Sequence, residues 1–327
     1  MTAEELFKGI CELIPDALSR HKVPGAALGI TCDGREFVRG FGVTSIDNPL
    51  PVDEKTFFQI GSTTKTLTAT AVMRLCEAGK LNLDQPIKGY LPEFQMRDPA
   101  VTAAGGVVAT IKDQLKYARF HLGAGAGEDG VQVLSPESMA QMHTPAGPAN
   151  CDFETGLAWR IRHIGGIRRL FHGGTTFGQL SFLTVVPQCD FGFALMTNST
   201  SGALFAREVT TDLMRRFLGN DEPEPAEIPM APDRMSEYVG RYGAALDDSE
   251  IRFEDGKLSM QSHPNGGFPT AGDPPGPNPP PFRVGFVATD RIAMTGPQML
   301  DFQGEFLRAP DGSIAWLRWG GRIHARQ

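Results

Sequence analysis

The stretch EPEPAEIPMAP, residues 222–232, constrains the chain most, because the hydrophobic pattern changes type across it. Four prolines in eleven residues remove backbone donors and fix φ, so the stretch reads as a linker. Before it, helical and strand periodicities alternate. After it, only short strands bounded by turns can be read. With 327 residues, the chain is long enough for two such units.

In the first part, Leu6, Ile10, Leu13, Ile14 and Leu18 recur at helical spacing, predicting an amphipathic helix over 3–20. Residues 25–31 and 36–42 read as strands joined at Asp33-Gly34, a hairpin signal. A helix is expected from Ser62 to Glu77, stopped by Gly79. Thr110 with Asp113 resembles a capping box, and Ser135-Pro136 opens a short helix. Residues 156–163, 167–172, 179–186 and 191–197 read as antiparallel strands, since their connections are too short for crossovers. A helix over 203–218 follows. This order predicts an α+β fold, an antiparallel sheet flanked by helices, over residues 1–221. Beyond the linker, strands over 237–242, 251–254, 257–261, 284–288, 291–295, 303–308 and 314–319 predict a small all-β barrel over 233–327. A Pro- and Gly-rich insert, 264–282, is expected to be an exposed loop of it.

The net charge of −7 argues against a nucleic-acid partner, which needs a basic patch. No stretch is long and apolar enough to span a bilayer. Glu4 and Glu5 stand where a secretory leader would be basic, so the expected location is the cytoplasm, unless a leader was removed. The five cysteines (Cys11, Cys32, Cys76, Cys151 and Cys189) are scattered and form no CxxC pair. They are expected as reduced, mostly buried thiols. No metal or organic cofactor is implied.

The segment with chemistry in it is FFQIGSTTK, residues 57–65. Ser62 and Lys65 are three residues apart on a predicted helix, which puts both side chains on one face. A serine hydroxyl becomes a nucleophile when a neighbour takes its proton. A lysine can do that if burial or positive charge lowers its pKa. A helix N-terminus favours the neutral amine and offers free N–H groups to an oxyanion. Ser-x-x-Lys alone is a weak signal, because most matches are a cap followed by a solvated lysine.

The flanks extend it. The continuation Glu77-Ala-Gly-Lys-Leu-Asn-Leu-Asp84 and then Pro86-Ile-x-x-Tyr-Leu-Pro-Glu-Phe94 is similar to the β-lactamase-related serine hydrolases: class C-like β-lactamases, penicillin-binding proteins, carboxylesterases and D-aminopeptidases. The segment 170–182, which contains His172-Gly173-Gly174-Thr175, resembles the strand that carries Lys-Thr-Gly or His-x-Gly at the family's pocket edge. The resemblance makes Ser62 the acylating nucleophile and Lys65 its base. It makes the backbone N–H groups of Ser62 and Thr175 the oxyanion donors. Gly173 and Gly174 would admit the substrate carbonyl, and His172 would line the pocket. The alternative for His172 is a strand end packed on a turn. Glu237-Tyr-Val-Gly-Arg-Tyr242 and Ala315-Trp-Leu-Arg-Trp-Gly-Gly321 are similar to a lipocalin-like domain appended to some members.

The resemblance also implies a middle motif, Tyr-x-Asn or Ser-x-Asn, that helps move protons. Neither occurs between the two anchors, and residues 93–105 join two family segments that normally bracket a long helical region. Tyr117 is the one tyrosine placed to substitute, although an aromatic residue on a helix is more often core. Two readings follow. The chain is a trimmed serine hydrolase acting on a small ester, amide or peptide, with esterase chemistry preferred because His172 replaces a lysine. Or it is a degenerate relative that binds such a molecule without efficient turnover.

Overall fold

The structure is a computed structural model. It describes residues 1–93, 102–176, 178–221, 225–245, 247–266, 274–295 and 303–327. Most of the junction over 93–105 lies outside the described residues, as do 222–224 of the linker and 267–273 of the insert. The described residues form two compact units, one built from residues within 1–93, 102–147 and 154–221, the other from 148–153 and the described residues between 225 and 327. No helix among the described residues is long and apolar enough to cross a membrane.

The first unit contains helices α1 (Ala3–His21), α2 (Thr64–Glu77), α3 (Thr102–Gly105), α4 (Ile111–Leu122), α5 (Pro136–Met142) and α6 (Gly202–Leu218). Its strands are β1 (Gly25–Cys32), β2 (Arg35–Gly42), β3 (Phe58–Gln59), β4 (Val108–Ala109), β5 (Gly147–Pro148), β6 (Glu154–Thr155), β7 (Arg160–Ile164), β8 (Ile167–Thr175), β9 (Leu180–Val186) and β10 (Phe191–Thr197). The main sheet runs β2-β1-β10-β9-β8-β7-β6-β5, and every pairing from β2 to β6 is antiparallel. Helix α1 begins with a capping box of Thr2 and Glu5, and α4 with one of Thr110 and Asp113. The β1–β2 turn puts Asp33 and Gly34 at positive φ, 50° and 70°, as a two-residue hairpin turn requires.

Helices cover both faces of this sheet. On one, Ile10, Ile14 and Leu18 of α1 meet Phe205, Val209 and Leu213 of α6 over Leu28, Ile30, Phe191 and Phe193. On the other, Met73, Ile111 and Tyr117 meet Leu170, Leu183 and Met196. Because side chains alternate along a strand, β1 and β10 feed both cores and read as near-continuous apolar runs. The sequence expectation for the strand over 156–163 shifts. Gly156–Trp159 form a turn closed by the Gly156 N–H to the Trp159 carbonyl at 2.8 Å, and β7 begins at Arg160.

The second unit has a short helix α7 (Pro232–Met235) and strands β11 (Gly240–Gly243), β12 (Asp247–Glu254), β13 (Lys257–Pro264), β14 (Phe282–Ala288), β15 (Arg291–Met294), β16 (Gln303–Arg308), β17 (Ile314–Trp319) and β18 (Arg322–Arg326). They form a closed barrel in sequence order, sealed where Tyr242 and Gly243 pair with Arg326 and Ala325. Tyr238, Tyr242, Ile251, Leu258, Phe286, Phe306 and Leu317 fill it. The closing strand β18 is not apparent from the sequence, because its pattern is inverted: His324 is buried and Ile323 exposed. Of the five thiols, only Cys11 is buried and the rest are half-buried, so the expectation of mostly buried cysteines holds for one of them.

Candidate active site

Ser62 lies in a 3-10 turn, Gly61–Thr63, that leads directly into α2. The turn is held on its outer side by the β3–β4 pair. The Ile60 N–H donates to the Val107 carbonyl at 3.0 Å, and the Val107 N–H to Thr64 Oγ1 at 3.2 Å. On its inner side it rests on the end of β8. Strand β7 pairs with β8 only as far as Arg160 opposite Phe171. Residues 172–175 therefore keep β9 on one side and have that turn on the other. Thr63 Oγ1 meets Ser181 Oγ at 2.8 Å, and Ser181 Oγ donates to the Ile60 carbonyl at 2.7 Å. Gly61 takes φ +49° and packs against the backbone of Gly174 and Thr175. A larger residue at 61 or 174 would push the turn away.

Lys65 Nζ stands 2.9 Å from Ser62 Oγ and donates to the Ala104 carbonyl at 3.0 Å. Its pKa is lowered, first by partial burial and second by the positive charge of Arg160. Both effects favour the neutral amine. When Lys65 is neutral, the 2.9 Å contact can run from the serine hydroxyl to the amine, the direction a general base needs.

Leu170 packs in the α2-side core, so His172 and Gly174, two and four residues on, face that same side. His172 is only 7% exposed. Its pKa falls to about 4, mainly through burial, with Arg160 and then Lys65 adding to the fall against the Gly173 carbonyl, which raises it. The ring is therefore neutral near pH 7. Nδ1 lies 2.7 Å from the Gly173 carbonyl. A carbonyl only accepts, so Nδ1 carries the proton and Nε2 is left as an acceptor.

The structure thus brings Ser62, Lys65, Gly174 and Thr175 together, with the charge of Lys65 felt at His172. It does not bring Tyr117 there. That hydroxyl meets Thr70 Oγ1 at 2.9 Å on the core side of α2, and burial raises its pKa. Two contributors escaped sequence reasoning. Ala104 acts through a main-chain carbonyl, which no side-chain motif reports. Arg160 opens β7 and carries the charge that lowers both Lys65 and His172, and a lone arginine at a strand start has no motif. Among the described residues no group of three or more metal-ligating side chains occurs.

The β-lactamase family model matches residues 10–103, which include the Ser62–Lys65 turn. The human mitochondrial serine β-lactamase-like protein LACTB is 40% identical over 97 residues, 28% of this chain and 18% of the relative. Penicillin-binding protein 4 of Amycolatopsis lactamdurans is 36% identical over 149 residues, 43% of this chain and 38% of the relative. Residues 10–103 thus carry the β-lactamase-family match, and the chain is similar to β-lactamase-related proteins over part of its length. Its matches span less than half the length of either superfamily relative. Among solved structures, SurE with D-Leu superposes with a TM-score of 0.74 at 20% identity, over 99% of this chain and 100% of that one. At that identity the likeness concerns the fold alone.

Proposed function

We propose that the protein is a serine hydrolase that cleaves an ester or amide through an acyl-enzyme on Ser62. The observation that carries this reading is the 2.9 Å contact of Lys65 Nζ with Ser62 Oγ, at a turn seated on the open end of β8. In the reaction, Ser62 Oγ attacks the substrate carbonyl and its proton passes to neutral Lys65. The resulting oxyanion is held by the N–H groups of Ser62 and Thr175. Collapse breaks the bond to the leaving group, which takes the proton from Lys65. Water then attacks the acyl-serine, again giving its proton to Lys65. The second proton returns to Ser62 Oγ, and the free acid leaves.

Neutral His172 supplies an acceptor beside the site and no positive charge. The resemblance puts at this place a lysine that would meet a β-lactam carboxylate, and a neutral histidine there favours ester substrates. The specific observation behind a second reading, binding without efficient turnover, is that Lys65 is anchored by a main-chain carbonyl, and the best-placed tyrosine points into the core. Loss of a proton-transfer group costs roughly 10²–10⁴-fold, so slow hydrolysis is expected.

Intact-mass analysis after fluorophosphonate treatment tests the nucleophile. A single adduct that disappears in Ser62→Ala is expected. An adduct that survives the substitution would move the nucleophile elsewhere, and no adduct in the wild type would favour the binding reading. Assays with a nitrophenyl ester and a chromogenic cephalosporin follow, with measurable turnover expected for the first only.

A further inference from the structure

Beside Lys65 the first unit holds a cavity of about 310 Å³ that the chemistry above does not use. It runs along one face of α2. Lys65, Ala69 and Val72 stand at i, i+4 and i+7 along it, a spacing that stacks side chains on one side of a helix. Seven residues of helix rise about 10 Å, so the cavity extends well past the reacting atoms. Met73 and Leu83 complete the α2 side. The opposite wall is the turn at Leu157, held by the Leu157 N–H to the Met142 carbonyl at 3.1 Å. Ala158 in that turn adopts φ +64°, a left-handed conformation that is unfavourable for a non-glycine residue. A wall that keeps such a residue is fixed by its surroundings before any ligand arrives.

Among the described residues, Lys65 is the one charged residue of the lining, and the others are aliphatic, a methionine or a threonine. An apolar cavity of this size with a reactive polar group at one end fits a hydrocarbon chain attached to a polar head. A second charge on the ligand would meet no charged partner besides Lys65 among the described lining residues.

We propose that this cavity is a specificity pocket for an aliphatic chain of the substrate, carried on either the acyl or the alcohol side of the scissile bond. The proposal rests on Ser62 being the nucleophile, since Lys65 is the residue the two sites share. Each methylene taken up contributes at most about fourfold in kcat/KM. The cavity is expected to discriminate hexyl-sized from two-carbon groups by about tenfold or more, within the ceiling of roughly 250-fold that four methylenes set.

Two substrate pairs separate the sources: nitrophenyl hexanoate against nitrophenyl acetate, and hexyl acetate against ethyl acetate. The longer member of one pair should be preferred by tenfold or more. Val72→Phe, which fills the cavity away from Lys65, should bring that ratio close to one while leaving the short ester's rate unchanged. Leu157→Phe fills it from the other wall if the first variant folds poorly. No preference in either pair, or a preference that neither filling reduces, overturns the proposal. A wild type without fluorophosphonate adduct would instead remove the nucleophile reading. The cavity is then tested by methyl NMR with hexanamide. Shifts at Met73, Leu83 and Leu157 that vanish in Val72→Phe support an aliphatic site, and their absence overturns it.

Discussion

Gly174 and the carbonyl of Ile60 pack so closely that no side chain fits between them. The same contact from the other side leaves no room at Gly61, where a Cβ would lie 2.6 Å from the Thr175 nitrogen. These two glycines fix the distance between the Ser62 turn and β8. Gly174→Ala should separate them, costing on the order of 1–3 kcal/mol in stability by overpacking. A displacement of about 1 Å at the reacting groups can cost 10²-fold in rate. Thermal unfolding together with ester kinetics would check both. A Gly174→Ala protein with wild-type turnover would show that the β8 backbone takes no part in the reaction.

Lys65 should set how fast Ser62 reacts. Lys65→Ala is expected to slow fluorophosphonate labelling by roughly 10²–10⁴-fold with little change in melting temperature, because the side chain is only partly buried. Stopped-time intact-mass measurements give the rate. Labelling at the wild-type rate would show that another group takes the proton.

The pH dependence should follow Lys65. Its pKa lies below the usual lysine value, and only the neutral amine accepts a proton, so activity should rise with pH through that pKa. Arg160 is the second cause of the lowering, after burial. Arg160→Gln should therefore move the rising limb to higher pH, and Arg160→Lys should largely restore it. Arg160 makes other interactions in the structure, so melting curves belong beside the profiles. A limb that stays in place in Arg160→Gln would mean that Lys65 is not the titrating group.

Much of this architecture was legible because local signals agreed with the final packing. The capping residues Thr110 and Ser135, the Asp33-Gly34 turn and the apolar period of α1 each depend on neighbours within a few residues. The Ser62–Lys65 pairing was legible for the same reason, since three-residue spacing on a helix places both groups whatever the rest of the chain does. What could not be read depends on distant partners. Strand β18 exists because it closes the barrel against β11, and its buried His324 breaks the expected alternation. Arg160 matters through its charge on residues far away in the chain. The cavity beside Lys65 needs Leu157 brought against α2, which only the folded sheet achieves.

The linker should behave as one. We propose that residues 233–327 fold without the first part, since their strands close on themselves in sequence order and enclose their own apolar core. Limited proteolysis is expected to cut within 222–232 on the N-terminal side of Ile228, whose N–H donates to the Phe286 carbonyl of the barrel at 2.7 Å, and to release a fragment with β-type circular dichroism and a cooperative melt. Aggregation of the fragment would show that the barrel needs the rest of the chain.

Acid should unfold the first unit earlier than its carboxylates alone would dictate. His121 Nδ1 and His143 Nε2 are 2.9 Å apart in a buried site that Trp159 meets edge-on. Burial, then the neighbouring His143, pushes the His121 pKa far down. Burial, then the charge of Arg168, brings His143 to about 4. Both rings are thus neutral when folded, while in the unfolded chain each titrates near 6.5. As pH falls below about 6.5 the unfolded state takes up protons first, so stability declines from there down to the folded pKa and is at its full value above 6.5. For His143 the span from 6.5 to about 4 corresponds to on the order of 3 kcal/mol as an upper limit. His172, also brought to about 4, adds in the same direction. Glu77, held at about 2 by hydrogen bonds from Ser138 and Ser135, contributes above the unfolded carboxylate range and is lost only below it, so the two effects separate. Urea unfolding between pH 4.5 and 7.5 should show stability falling toward acid, with a shallower slope in His143→Gln, whose amide can still bond His121. An unchanged slope in that variant would mean that His143 is already protonated in the folded protein.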